Sequence, residues 1–167
     1  IGCEACHGPG RAHVTQYQSP LARYGSRDGA FEIVQPARLT ARKSSAVCGQ
    51  CHSYFVPLDA DEWWADGLTR RFRPGQDLEP SRLLIDYEEH RSAEGLLSRG
   101  LDSVFWPDGT IRVGGREYNG LVKSPCFERG VGEQQLACVS CHSIHQSDPD
   151  DQLAAGKEGS EACTQCH

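Results

Sequence analysis

The chain contains no methionine. Its absence removes the adaptable side chain that fills irregular core gaps, and it removes a thioether sulfur as a metal ligand. Long apolar runs are missing too: nothing approaches the ~18 residues of a membrane-spanning helix, so this segment carries no membrane span. Ile, Leu, Val and Phe together number 32 of 167 residues, or 19%. That is just under the roughly 20% below which a charged chain has difficulty burying a core of its own. Lysine is scarce, 3 against 14 arginines, and the formal net charge is −6. An acidic balance disfavours nucleic acid and suits basic protein partners. With neither a secretory signal nor a starting methionine, the expectation is a mature or excised segment, of a length for one compact unit.

Cysteine, by contrast, is plentiful and patterned. Eight of the nine cysteines fall into four repeats of Cys-x-x-Cys-His: Cys3, Cys6 and His7; Cys48, Cys51 and His52; Cys138, Cys141 and His142; Cys163, Cys166 and His167. At this composition chance supplies about 0.02 occurrences in the whole chain. The spacing is that of c-type haem attachment, in which two thiols form thioethers to the porphyrin and the adjacent imidazole binds iron. Four haem c groups per chain are therefore expected. Zinc knuckles need paired cysteines but no histidine after every pair. A thioredoxin-like dithiol needs one pair in a βαβ setting, and a disulfide scaffold has no reason to place histidine after each pair.

Motif starts at residues 3, 48, 138 and 163 are too unequally spaced for a tandem repeat of equal units. The predicted fold is mainly α with much irregular loop and a small β-meander, a multihaem cytochrome fold organised around four covalently bound haems. Residues 1–167 form one unit, and 53–137 are a haem-free insert. Within the insert, "EPSRLLIDYEEHRSAEGLLSRGLD" predicts a helix over about 80–101, with Leu83, Tyr87, His90, Leu97 and Leu101 near one face. "FWPDGTIRVGGREYNG" predicts short strands over about 104–118, turned at Asp108-Gly109 and Gly114-Gly115. Apolar porphyrins standing in for a core imply that the haem-free chain is largely unfolded.

Of the seven histidines, His7, His52, His142 and His167 are the proximal ligands of this reading. His13, His90 and His145 remain as candidates for the opposite axial positions, since no methionine competes. His13 follows His7 too closely to reach the far face of the same iron. The Gly8-Pro9-Gly10 turn would deliver it to a neighbouring haem, and His145, three residues past His142, is read the same way. Seven imidazoles for eight axial positions leave one haem short of a histidine, to stand open, take Cys126 or a lysine, or borrow a ligand from outside these residues, and that of His167, at the chain end, is the first choice. The odd Cys126 reads as a buried, unreactive thiol, with ligation or an intermolecular disulfide as alternatives. Trp63, Trp64 and Trp106 read as packing on porphyrin faces or edges.

"GCEACHGPGRAH" at one end, with "LACVSCHSIH" and "EACTQCH" at the other, resembles the multihaem c-type cytochromes related to the tetrahaem cytochromes of ammonia oxidisers. "IVQPARL" to "VCGQCH" and "REYNGLVKSPCFERG" look like a cytochrome module of larger bacterial proteins. The resemblance implies that His13 and His145 ligate neighbouring haems. Related chains also polymerise into extracellular filaments. The expected function is electron transfer among closely packed, mostly bis-histidine haems, exchanging with redox protein partners. The alternatives are a redox enzyme with one open haem acting on a small nitrogen or oxygen compound, with no catalytic residue nameable, and a self-associating filament subunit. The expected location is periplasmic or extracellular, in a bacterium or archaeon, because covalent haem attachment resembles an export-side process.

Overall fold

The computed structural model describes residues 2–24, 33–66, 72–93, 95, 98, 100–145 and 152–165; Leu97, Cys166 and His167 lie outside them. Two short helices, α1 (Glu4–His7) and α2 (Arg11–Tyr17), flank the Gly-Pro-Gly turn. Gly8 closes α1 with φ 76°, a conformation that favours glycine. Two 3-10 turns, Pro20–Tyr24 and Pro36–Arg38, lead to α3 (Ala41–His52). This helix forms because Thr40 caps its start, accepting from the Lys43 N–H, and Ala-Arg-Lys follow with good helix propensity. It ends where Ser53 turns extended and its hydroxyl donates to the Gly49 carbonyl at 2.6 Å, satisfying a terminal acceptor.

The chain continues through β1 (Phe55–Pro57), α4 (Ala60–Asp66) and β2 (Arg82–Leu84). The strands pair antiparallel with Phe55 opposite Leu84 and Pro57 opposite Arg82. Then come α5 (Tyr87–His90), α6 (Leu101–Val104), α7 (Glu117–Lys123) and α8 (Pro125–Glu128). Two 3-10 turns, Gly132–Gln134 and Cys138–Ser140, precede α9 (Glu161–Thr164). The described residues are thus helix-rich, with irregular loops and a small two-strand antiparallel sheet.

Among the described residues, two clusters of apolar side chains are buried. Ala46 and Val47 of α3 pack with Phe72, Leu78 and Tyr118, while Ile85, Leu101 and Phe105 form a second group with Tyr54, Tyr87 and Ile111 around them. Full burial of such side chains is worth about 1.5–3 kcal/mol each, so a protein core exists beside whatever the cofactors contribute. Gly49 lets α3 approach α7: a Cβ there would stand 2.6 Å from the Tyr118 ring and 2.8 Å from Leu78. Asn119 ties α7 to the strand region, accepting from the Tyr54 N–H at 2.7 Å and donating to the carbonyls of Tyr54 and Ile85. Arg82 is buried, donates to the Gln50 carbonyl at 2.8 Å, and lies over the rings of Phe55 and Trp63 at 4.5 and 5.0 Å.

The insert departs from the sequence expectation in three respects. Among the described residues the predicted continuous helix over 80–101 is not formed: Arg82–Leu84 pair as a strand, and Asp86 then starts a four-residue helix by accepting from the Glu89 N–H at 2.9 Å. Gly95 and Gly100 take φ 83° and 75°, which a right-handed helix does not accommodate. Leu83 is consequently exposed and shares no helix face with His90. The predicted strands over 104–118 reduce to one bridge, Phe105 to Ile111, across the Asp108-Gly109 turn, and Glu117 already begins α7. Finally, Cys126 is exposed: Pro125 fills the first position of α8 and Phe127 is the residue turned inward.

Candidate haem-attachment site

Helix α3 carries the second motif at its C-terminal end and gathers the others. Gln50, between Cys48 and Cys51, donates through its amide to the Ala5 carbonyl at 2.8 Å, holding α1 and the first motif. Ser45 accepts from the Cys138 N–H at 3.3 Å, holding the third. The two positions between the second motif's cysteines, Gly49 and Gln50, are therefore both structural. The fourth motif is reached from the third: His142 bridges Leu153, the Ala154 N–H donates to the Cys141 carbonyl at 2.8 Å, and α9 then presents Cys163 to solvent.

The thiols converge accordingly. Cys48 donates to Cys138, which pushes the Cys48 thiol up and the Cys138 thiol down, with desolvation adding to the first shift and opposing the second. Cys6 is also pushed up, first by burial and then by the neighbouring sulfurs of Cys51 and Cys3. Residues far apart in sequence thus bring three attachment motifs to one region around α3. Among the described residues, no group of three or more His, Cys, Asp or Glu side chains is arranged to hold a bare metal ion.

Each proximal imidazole has two nitrogens, and an iron ligand characteristically commits Nδ1 to a hydrogen bond while Nε2 binds. His7 Nδ1 lies 2.7 Å from the Val34 carbonyl, and the Val34 N–H donates to the His7 carbonyl at 2.9 Å, so residue 34 grips residue 7 twice. His52 Nδ1 lies 3.0 Å from Glu117 Oε2. This chemistry fits haem c: paired thiols with an adjacent imidazole whose remaining nitrogen is left for iron.

The distal candidates fare differently. His145 stands beside His7 with ring centres 5.8 Å apart and planes 13° apart. The rings are stacked, which brings the third motif's second histidine to the first motif's imidazole. His13 sits half-buried on α2 with its ring 4.8 Å from that of Tyr17. His90 is buried at the end of α5, its Nδ1 2.9 Å from the Asp86 carbonyl. It is oriented by a local turn, not by the expected helix face. His167 and Cys166 lie outside the described residues.

The tryptophans divide. Trp63 is buried against Phe55 and Arg82, whereas Trp64 is exposed and Trp106 lies half-exposed under the Arg112 guanidinium. Sequence reasoning missed Val34 and Glu117. Val34 acts through its backbone, which no side-chain pattern reveals, and Glu117 reads in sequence as one more acidic residue of an acidic chain.

A family model described as the doubled CXXCH motif matches residues 130–167, the stretch in which the bridge at His142 links the third motif to the fourth. No curated protein and no solved structure matches the chain. The match supports a multihaem c-type cytochrome-like protein, with its CXXCH motifs indicating covalently bound haem c and electron transfer.

Proposed function

We propose that the chain is an electron carrier holding four haem c groups, mostly with two histidines each, on the periplasmic or extracellular side of its cell. Haem c supplies reversible one-electron exchange at iron. The residues supply attachment, axial nitrogens and closeness. The observation that carries the reading is the His7–His145 pair: an imidazole fixed by Val34 has a second imidazole stacked near-parallel beside it, ring centres 5.8 Å apart, close enough for both to serve one haem. It supports delivery of His145 from the third motif to the haem of the first, as expected for motifs whose second histidine serves a neighbour. The contact of Cys48 with Cys138 supports close packing of the second and third haems, since both thioether anchors would stand side by side. The acidic balance supports basic redox proteins as donor and acceptor.

The test is a haem count followed by one substitution. Denaturing mass spectrometry of the native protein is expected to read the polypeptide plus four haems. The seven histidines of these residues can fill seven of eight axial positions; with the eighth open, the reduced protein is expected to bind one carbon monoxide per chain. His145→Ala is expected to bind two, with one additional high-spin signal by electron paramagnetic resonance in the oxidised state. Four haems with unchanged carbon monoxide binding in the variant would remove His145 from the axial set, and paired cysteines found as free thiols would remove the haem reading itself.

A further inference from the structure

The proximal histidines do not share one kind of partner. His7 Nδ1 meets a neutral acceptor, the Val34 carbonyl, at 2.7 Å. His52 Nδ1 meets an anionic one, Glu117 Oε2, at 3.0 Å. The carboxylate is not a loosely swinging surface group. Glu117 is the first residue of α7, where the helix N-terminus favours negative charge. Its other oxygen accepts from the Gly115 N–H at 2.6 Å, which leaves Oε2 aimed at His52. Helix α7 is in turn set against α3, which carries His52, by the Gly49–Tyr118 contact, and Asn119 ties it to Tyr54, two residues beyond His52. The contact therefore joins two elements whose relative position the core determines.

On the reading that Cys48, Cys51 and His52 hold a haem, we propose that Glu117 is a positioning residue that lowers the reduction potential of that haem relative to one whose histidine donates to a neutral acceptor. A carboxylate accepting the Nδ1 proton raises the basicity of the imidazole. The more basic ligand donates more strongly through Nε2 and stabilises the ferric over the ferrous state, one of the means by which a protein sets haem potentials. Across the redox step the iron gains or loses a single electron, exchanged with a partner protein. The proton stays on Nδ1 and Glu117 stays ionised. As an ion pair alone the contact would be worth little, because both side chains are more than half exposed in the polypeptide. Its effect on potential does not depend on net ion-pair stability, since the hydrogen bond alters the ligand itself.

Glu117→Gln keeps the shape and an acceptor but removes the charge. In a spectroelectrochemical titration of the haem-loaded protein, one component is expected to move upward, increasing the reduced-to-oxidised ratio at fixed potential by tenfold or more, at least 59 mV for a one-electron couple. Glu117→Asp, which retains the carboxylate, is expected to keep that component within half of the shift. Glu88→Gln makes the same charge change on α5 and is expected to move no component comparably. Four haems with no component raised by Glu117→Gln, a downward shift, or an equal shift of all components would overturn the proposal while leaving the haem reading intact. Peptide mapping separates the two: unmodified Cys48 and Cys51 in the native protein would overturn the attachment reading at this motif, and the proposal with it.

Discussion

Gly49→Ala tests whether the spacing of α3 from α7 is set by packing at the motif itself. From helix propensity alone, alanine should gain about 1 kcal/mol in a helix interior. The geometry opposes it. The new Cβ would lie 2.6 and 2.7 Å from two Tyr118 ring atoms and 2.8 Å from a Leu78 methyl. Both neighbours are buried, Tyr118 at 2% and Leu78 at 0% exposure, so neither can swing into solvent. Overpacking a filled core costs about 1–3 kcal/mol, and a rigid ring as the struck group places this site at the upper end. The net expectation is a loss of about 1–2 kcal/mol, which for a chain of this size lowers the midpoint by about 2–8 °C. The assay is far-ultraviolet thermal unfolding of haem-loaded wild type and variant, matched for haem content by mass. Leu78→Ala in the same background removes the 2.8 Å contact and opens room in the cluster that Tyr118 shares with Leu78, so the double variant should be less destabilised than the sum of the single ones by about 1 kcal/mol. A midpoint for Gly49→Ala equal to or above that of wild type, or strict additivity with Leu78→Ala, would refute the packing argument.

Asn119→Ala is expected to cost about 2–4 kcal/mol by denaturant unfolding, because it withdraws partners from the Tyr54 N–H and the Ile85 carbonyl in a buried place. The Asp86–Lys123 pair, 3.0 Å apart, should show a coupling of about 1 kcal/mol or less in a double-mutant cycle with Asp86→Asn and Lys123→Met. Desolvation pushes the Asp86 carboxyl up, but the Glu89 and Glu88 N–H groups and Lys123 outweigh it and hold it below the ordinary range, while Lys123 is raised chiefly by its hydrogen bond to Asp86. Its stabilisation should therefore be complete above about pH 4, decaying as pH falls through the lowered value, and complete below about pH 10.4, decaying as pH rises through the raised one. A coupling that changes between about pH 5 and 9 would contradict that sign. With no methionine to favour ferrous iron, potentials should lie mostly below zero; a titration centred well above zero would contradict histidine ligation.

The attachment chemistry was legible in the sequence because covalent haem binding needs its three groups within five consecutive residues, a local constraint that survives in the letters. The Gly8 turn and the Asp108-Gly109 turn were legible for the same reason, since positive φ is a property of single residues. The insert was misread where local pattern met tertiary competition. "RLLID" fits a helix face by spacing, yet Arg82 is buried between Phe55 and Trp63 and the segment pairs with β1. Asp86 with Glu89 three residues on was an available helix-start signal within that stretch, and it would have divided the predicted helix.

What the sequence by itself determined is the set of groups: eight paired thiols, four adjacent imidazoles, three spare ones and no methionine. Which of these meet was decided only by the tertiary structure. His145 stands beside His7, Cys48 touches Cys138, and Val34 and Glu117 take up the Nδ1 atoms of His7 and His52. The physical reason is that ring contacts and hydrogen bonds to Nδ1 join residues far apart in the chain, across contacts set by the packing of α3 against its neighbours. A five-residue motif specifies what can bind, whereas only the packed core specifies what stands opposite.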